Sequence, residues 1–221
     1  MDTHPVVFLL DDDETIVLAL SRMLRADGFT VRAWTSALDF LESHNPETPG
    51  CLVADVLMPA INGLDLQQLL RLRDCMRPIV FITGCADMPT AVQAMKAGAV
   101  SCLEKPVRRS DLVAAVREAI DLDAAAREHR REQRAILARL ESLTPRERQV
   151  LTLVADGMLN KQIAAQLGAS EKTIKVHRGR LMEKMQVRSA AALVNLLTRV
   201  DGKTQRVSTP VPRQVSDDAR L

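Results

Sequence analysis

Asp11, Asp12 and Asp13 stand directly after a short apolar run, Val6–Leu10. Asp55 follows the run Cys51–Ala54, Thr83 closes the run Ile79–Thr83, and Lys105-Pro106 follows the run Val100–Leu103. If these runs are strands of one open parallel sheet, groups at their carboxyl ends converge on a single crevice. Clustered carboxylates repel one another unless a cation sits among them. Oxygen-only ligands suit Mg²⁺, which binds through few carboxylates and keeps waters and phosphate oxygens. An Asp beside Mg²⁺, with a Lys and a Thr at hand, can attack a phosphoryl group and form an aspartyl phosphate. Lys105 and Thr83 would then hold the phosphoryl oxygens.

The second half of the chain carries a different chemistry. Asn160–Leu167 reads as a short helix, Gly168-Ala169 as a turn, and Ser170 as the N-cap of a helix reaching about Met185. Helix, tight Gly turn and second helix make a helix-turn-helix. On the second helix Ile174, His177, Leu181 and Met185 fall on one stripe, expected to be core. Lys172, Lys175, Val176, Arg178, Gly179 and Arg180 lie on or beside the other faces. Gly179 costs about 1 kcal/mol of helix propensity relative to Ala, and its use would be close approach to DNA.

The elements that must position these residues are legible in the pattern. A further apolar run, Phe29–Trp34, makes five candidate strands, and amphipathic stretches begin near Glu14, Ser36, Leu64, Met88 and Arg109. Strands alternating with helices predict a doubly wound α/β fold, a parallel sheet of five strands covered on both faces. From Asp121 to Ser142 the chain is rich in Ala, Arg and Glu, has no Gly or Pro, and reads as a polar linker helix. Leu122, His129, Ile136 and Leu143 are seven apart, with Ala126, Gln133 and Leu140 interleaved. This seam fits either a self-pairing coiled coil or a solvated linker. Thr144-Pro145-x-Glu147 is a helix start with Thr at N-cap, Pro at N1 and Glu at N3, and four short helices follow. The expected organisation is residues 1–122, a linker 123–142, a small all-α domain 143–200, and a tail 201–221 without periodicity that reads as disordered.

Composition excludes several classes. The 221 residues exceed one typical domain, and the share of hydrophobic residues, 47%, is ordinary for a chain with a core. Four Phe, one Trp and no Tyr argue against aromatic platforms for single-stranded nucleic acid. The longest uncharged run, Ser189–Thr198, has ten residues, short of the ~20 that span a membrane. Cys51, Cys75, Cys85 and Cys102 form no C-x-x-C pair and read as reduced thiols of a cytoplasmic protein. Charge is split: residues 1–120 hold 11 Lys and Arg against 16 Asp and Glu, whereas residues 143–200 hold 10 against 4. An acidic first part suits a cation site, and a basic second part suits nucleic acid.

The pattern D-D-D-E-T after the first strand, D-V-L-M-P after the third, T-G after the fourth and K-P after the fifth resembles the flavodoxin-like receiver domain of two-component response regulators, over about residues 4–122. The resemblance implies Asp55 as phosphoacceptor. It implies Mg²⁺ on Asp12, Asp55 and the Leu57 carbonyl, with Asp11 through water, and phosphoryl sensing by Thr83 and Lys105. It also implies a cis Lys105–Pro106 bond, with Asp13 capping the first helix. Such proteins usually carry Tyr or Phe three residues before the lysine and a Phe after Lys-Pro. Here these are Cys102 and Val107, so the expected Thr83–Cys102 switch is atypical. The stretches L-T-P-R-E-R-Q-V-L, N-K-Q-I-A-A-Q-L-G-A-S-E-K-T-I-K-V-H-R and M-E-K-M resemble the LuxR-type helix-turn-helix, over about 143–200. That resemblance implies base reading by Lys175, Val176 and Gly179, and phosphate contacts from Lys161, Lys172, Arg178 and Lys184. It also implies pairing of two modules through Ala190–Thr198.

Together these readings describe a FixJ/NarL-like transcription regulator. The expected partners are a sensor histidine kinase, double-stranded DNA half-sites bound by a homodimer, and RNA polymerase. One alternative is a regulator that acts without phosphorylation, or senses oxidation at Cys102 or Cys85. Another takes Asp11-x-Asp13-x-Thr15 as the opening motif of a haloacid-dehalogenase-like phosphatase, with Asp11 as nucleophile and Asp13 as acid/base.

Overall fold

The computed structural model describes residues 4–84 and 88–199; the expected tail and Cys85 lie outside them. The chain divides into two compact units between His129 and Arg130.

In the first unit β1 (Val6–Leu10), β2 (Thr30–Trp34), β3 (Gly50–Asp55), β4 (Ile79–Thr83) and β5 (Ser101–Glu104) form one sheet in the order β2-β1-β3-β4-β5. Every pairing is parallel. The helices are α1 (Glu14–Ala26), α2 (Ala37–Ser43), α3 (Gly63–Leu72), α4 (Met88–Lys96) and α5 (Arg109–Glu141). This is the doubly wound fold expected. Three central strands, β1, β3 and β4, are buried along their whole length, which is why they are continuously apolar rather than alternating. Successive side chains still point to opposite faces. Phe8, Leu10, Leu52 and Phe81 join Phe40 and Leu66 in one layer, while Val7, Leu9, Val53 and Ile82 join Leu24, Leu112 and Val116 in the other.

The sheet's aromatic layer carries a buried cation. Trp34 and Phe40 pack on Phe8, and the Arg77 guanidinium lies 3.9 Å from the Phe8 ring centroid. Arg77 donates to the carbonyls of Thr48 and Asn45, 3.0 Å each. Burial pushes its pKa down, yet a guanidinium keeps its charge.

The linker is helical, as expected, but it is continuous with the helix before it and is not solvated along its whole length. Residues 109–141 form one helix of 33 residues, α5, with no Gly or Pro to break it. Its Asp123 is buried, accepting from the Gly50 N–H (2.8 Å) and from Arg127 Nε (2.6 Å). Arg127 also donates to the carbonyls of Pro46, Glu47 and Thr48, 3.0 Å each. Residues 123 and 127 are thus pinned to the loop before β3. The heptad seam is divided as well. Leu122 and His129 are exposed, whereas Ile136 and Leu143 are buried in the core of the second unit, with Leu140 packed against them.

The second unit contains α6 (Pro145–Ala155), α7 (Asn160–Leu167), α8 (Glu171–Lys184) and α9 (Ala190–Thr198). Val150, Val154, Ile163, Ile174, Leu181, Met185 and Leu193 form its core. His177 departs from the expected core stripe and is only half-buried. The capping box at Thr144 and Glu147 is present, and Gly168 closes α7 in the left-handed conformation (φ 60°). Glu147 is 2% exposed and accepts from Lys184 Nζ at 2.7 Å. The bonds from Lys184 and from the Thr144 N–H hold the Glu147 carboxyl down to about 2.

Two outcomes follow from these buried pairs. Asp123→Ala leaves the Gly50 N–H and the Arg127 Nε–H without their shared acceptor and should destabilise the first unit by about 3 kcal/mol. The fluorescence of Trp34, the chain's single Trp, in a urea titration checks this. Because the Glu147 carboxyl titrates lower in the folded state than its ordinary 4.5, its contribution is complete above about pH 4.5. It is lost as the pH falls toward about 2. Acid titrations followed by circular dichroism should therefore show a smaller stability loss over that window in Glu147→Gln than in the parent.

Candidate carboxylate site and nucleic-acid interface

The parallel ladder places the ends of β1 and β3 side by side, with Leu10 opposite Ala54, and those of β4 and β5 next to them, with Thr83 opposite Glu104. Asp11, Asp55 and Thr83 are buried at this edge, and Asp12 is exposed. One carboxylate oxygen from each of Asp11, Asp12 and Asp55 lies within 4.8 Å of the others. Lys105 reaches into the group from the end of β5, and its Nζ bonds Asp11 Oδ2 and Asp55 Oδ2 at 2.7 Å each. Burial opposes the charge on Lys105, but hydrogen bonds and Coulomb attraction from Asp11 and Asp55 outweigh it and raise its pKa. The Lys105–Pro106 bond is cis.

The backbone around the carboxylates is also engaged. The Leu57 N–H donates to Asp55 Oδ1 (3.2 Å) and the Asp13 N–H to Asp11 Oδ1 (3.0 Å). The Leu57 side chain is exposed. Gly63 lets α3 start close to β3: a Cβ there would stand 2.6 Å from the Asp55 carbonyl oxygen. Asp13 caps α1, accepting from the Thr15 N–H at 2.7 Å, and those bonds lower its pKa. A group so used does not supply the acid of a dehalogenase-type phosphatase.

Cys102 lies on β5 opposite Phe81 and packs against the Phe8–Phe81 layer. It borders a shallow groove with Ala91, Val92, Met95 and Lys96 of α4. Burial pushes its thiol pKa up, the reverse of the shift that makes a cysteine reactive. The redox alternative gains no support from it.

On the second unit Lys161 of α7 and Lys172, Lys175, Val176 and Gly179 of α8 are exposed. Arg178 is half-buried, and its Nη1 donates to Asn160 Oδ1 at the start of α7 (3.0 Å). Lys184 lies apart from this set, its ammonium bonded to Glu147 and to the Ser142 carbonyl (3.0 Å). Asn160 and Glu147 had shown only their helix-start positions in the sequence. Their partners are 18 and 37 residues away and leave no local signal.

Comparison with known proteins agrees with both halves. Residues 7–117 match the response regulator receiver domain, and residues 141–197 match the bacterial regulatory proteins of the luxR family. The chain is 42% identical over 194 residues to Nodulation protein W of Bradyrhizobium diazoefficiens, covering 88% of this chain and 86% of that one. It is 42% identical over 199 residues to response regulator protein TodT of Pseudomonas putida, covering 90% and 88%. The solved structure of response regulator StyR superposes with a TM-score of 0.81 at 44% identity, over 88% of this chain and 98% of that one. The chain belongs to the response regulators that join a receiver domain to a LuxR-type DNA-binding domain.

Proposed function

We propose that Asp55 is the phosphoacceptor of this regulator and that its phosphorylation by a sensor histidine kinase controls DNA binding. The observation that carries the reading is the Lys105 ammonium held 2.7 Å from both Asp11 and Asp55, at the edge where Thr83 also ends its strand. The three clustered carboxylates fit a hard divalent cation. Asp11, Asp12 and Asp55, with the Leu57 carbonyl, would hold Mg²⁺, which supplies charge neutralisation for the carboxylates and the incoming phosphoryl oxygens.

An Asp55 carboxylate oxygen attacks phosphorus: a P–O bond forms as the P–N bond of the kinase's phosphohistidine breaks. Lys105 then turns from the lost carboxylate charge to a phosphoryl oxygen, and the Thr83 hydroxyl closes on another. With Cys102 in place of a large aromatic, the signal from Thr83 passes through a small side chain against the α4 groove.

Output lies on α8. Lys175 and Val176 read base edges, while Lys161, Lys172 and Arg178 meet phosphates, the last oriented by Asn160. Lys184 is assigned to the fold through Glu147 instead. A homodimer on two half-sites, working with RNA polymerase in the cytoplasm, completes the proposal. Among the described residues no helix is long and apolar enough to cross a membrane.

Incubation with acetyl phosphate and Mg²⁺ should add the mass of one phosphoryl group to the parent and none to Asp55→Asn; a gain surviving in the variant overturns the assignment. Lys172→Ala should lower the salt slope of DNA binding by about one at every sequence. Lys175→Ala should instead cost about 1–3 kcal/mol of discrimination at one base position. Anisotropy titrations across salt and sequence separate the two.

A further inference from the structure

The end of α2 and the loop that follows it are gripped by arginines from three other places in the first unit. Arg73, at the end of α3, donates to the Leu41 carbonyl at 3.0 Å. Arg77, before β4, holds the carbonyls of Asn45 and Thr48, and Arg127 of α5 holds those of Pro46, Glu47 and Thr48. His44 stands inside this grip, at the C-cap of α2. Its ring stacks on Phe40, with 4.5 Å between centroids and 16° between planes. Its Nδ1 lies 2.8 Å from the Phe40 carbonyl oxygen. A carbonyl only accepts, so Nδ1 carries the hydrogen and Nε2 a lone pair. Nε2 is buried and has no partner among the described residues.

These surroundings suit the neutral imidazole and oppose the charged one. A proton on Nε2 would be a buried donor without an acceptor, which costs free energy. Its charge would stand near the guanidiniums of Arg77 and Arg73, and both repel it. The carboxylates nearby are engaged or in water. Asp123 is bonded to Arg127 and to the Gly50 N–H, while Asp39 and Glu42 of α2, Glu47 of the loop and Asp74 beside Arg73 are exposed. Burial is the largest effect and the two arginines add to it; together they outweigh the bond to Phe40 and hold the His44 pKa below its ordinary 6.5.

We infer that His44 is an acid-sensitive latch: its protonation opens residues 41–48 and so releases Arg127 of α5 from the loop before β3. The closed form refuses the proton that the open form takes. The latch is therefore fully held above about pH 6.5 and weakens as the pH falls below that value. It is independent of phosphoryl chemistry, because it works at the Gly50 end of β3 and Asp55 closes the other end. The element it releases is the helix that continues across the division at His129 into the second unit.

The test uses the full chain. A glutamyl endopeptidase cuts after Glu47 when the loop opens, and its rate is divided by that on an unstructured Glu peptide at the same pH. Between pH 7.5 and 5.5 the corrected rate should rise by up to about tenfold in the parent, the limit for uptake of one proton. It should stay level in His44→Gln, whose side chain takes no charge. A second measurement needs no variant and holds if His44→Gln does not fold. In an NMR titration of the parent, one of the four histidines should titrate below the other three. The Arg127 Nε–H signal should shift with the same midpoint. The inference is overturned if His44 titrates at its ordinary value, or if cleavage after Glu47 rises equally in His44→Gln. It is also overturned if the Arg127 signal does not follow the His44 midpoint.

Discussion

Two buried carboxylates at the ends of adjacent strands, Asp11 and Asp55, share one ammonium. Like charges at such spacing repel by several kcal/mol in a protein interior, so the site exists only because Lys105 is delivered to them. That delivery is a property of the sheet. Parallel order brings the carboxyl ends of β1 and β3 together and lines up β4 and β5 beside them. Burial of β1, β3 and β4 on both faces fixes the strands in register. The same constraint makes the site responsive: the Lys105 ammonium balances two carboxylates, so covalent change at one of them must redistribute its bonds.

The second unit solves a smaller version of the same problem. Glu147 is buried at the start of α6 and Lys184 reaches it from the end of α8. Their bond ties together the two helices that carry the core residues Val150 and Leu181. It leaves Lys161, Lys172 and Lys175 exposed on the other side of the chemistry. Cations in this unit thus divide into those bonded within the fold, such as Lys184, Arg146 and Arg178, and those that face outward, a division that formal charge alone does not express.

The sheet and its site were legible because their signals are local. Each strand is a short apolar run, and each chemical residue sits at the end of one, so order along the chain gives position in space. Strand boundaries shifted by a single residue, as at Gly50 and Asp55 for β3. Partnerships across the chain were not legible. Asp123 looked like one more charge on a polar helix, but its acceptor role depends on Gly50, 73 residues earlier. Ile136 and Leu143 had the spacing of a dimer seam, and that same spacing serves equally well to face a core in their own unit. Spacing shows that a helix has an apolar side; it does not say what covers it.

The burial of Ile136 changes where the DNA-binding half begins as a folding entity. Sequence motifs start it at the Thr144 cap, yet Ile136 and Leu143 are buried in its core and Leu140 packs on it. A fragment cut at residue 143 would open a hole the size of a branched side chain in a small domain, a loss of about 2–5 kcal/mol against a marginal total. The last two turns of α5 are thus the first element of the second unit. Any recombination that exchanges output modules between such proteins must carry them along.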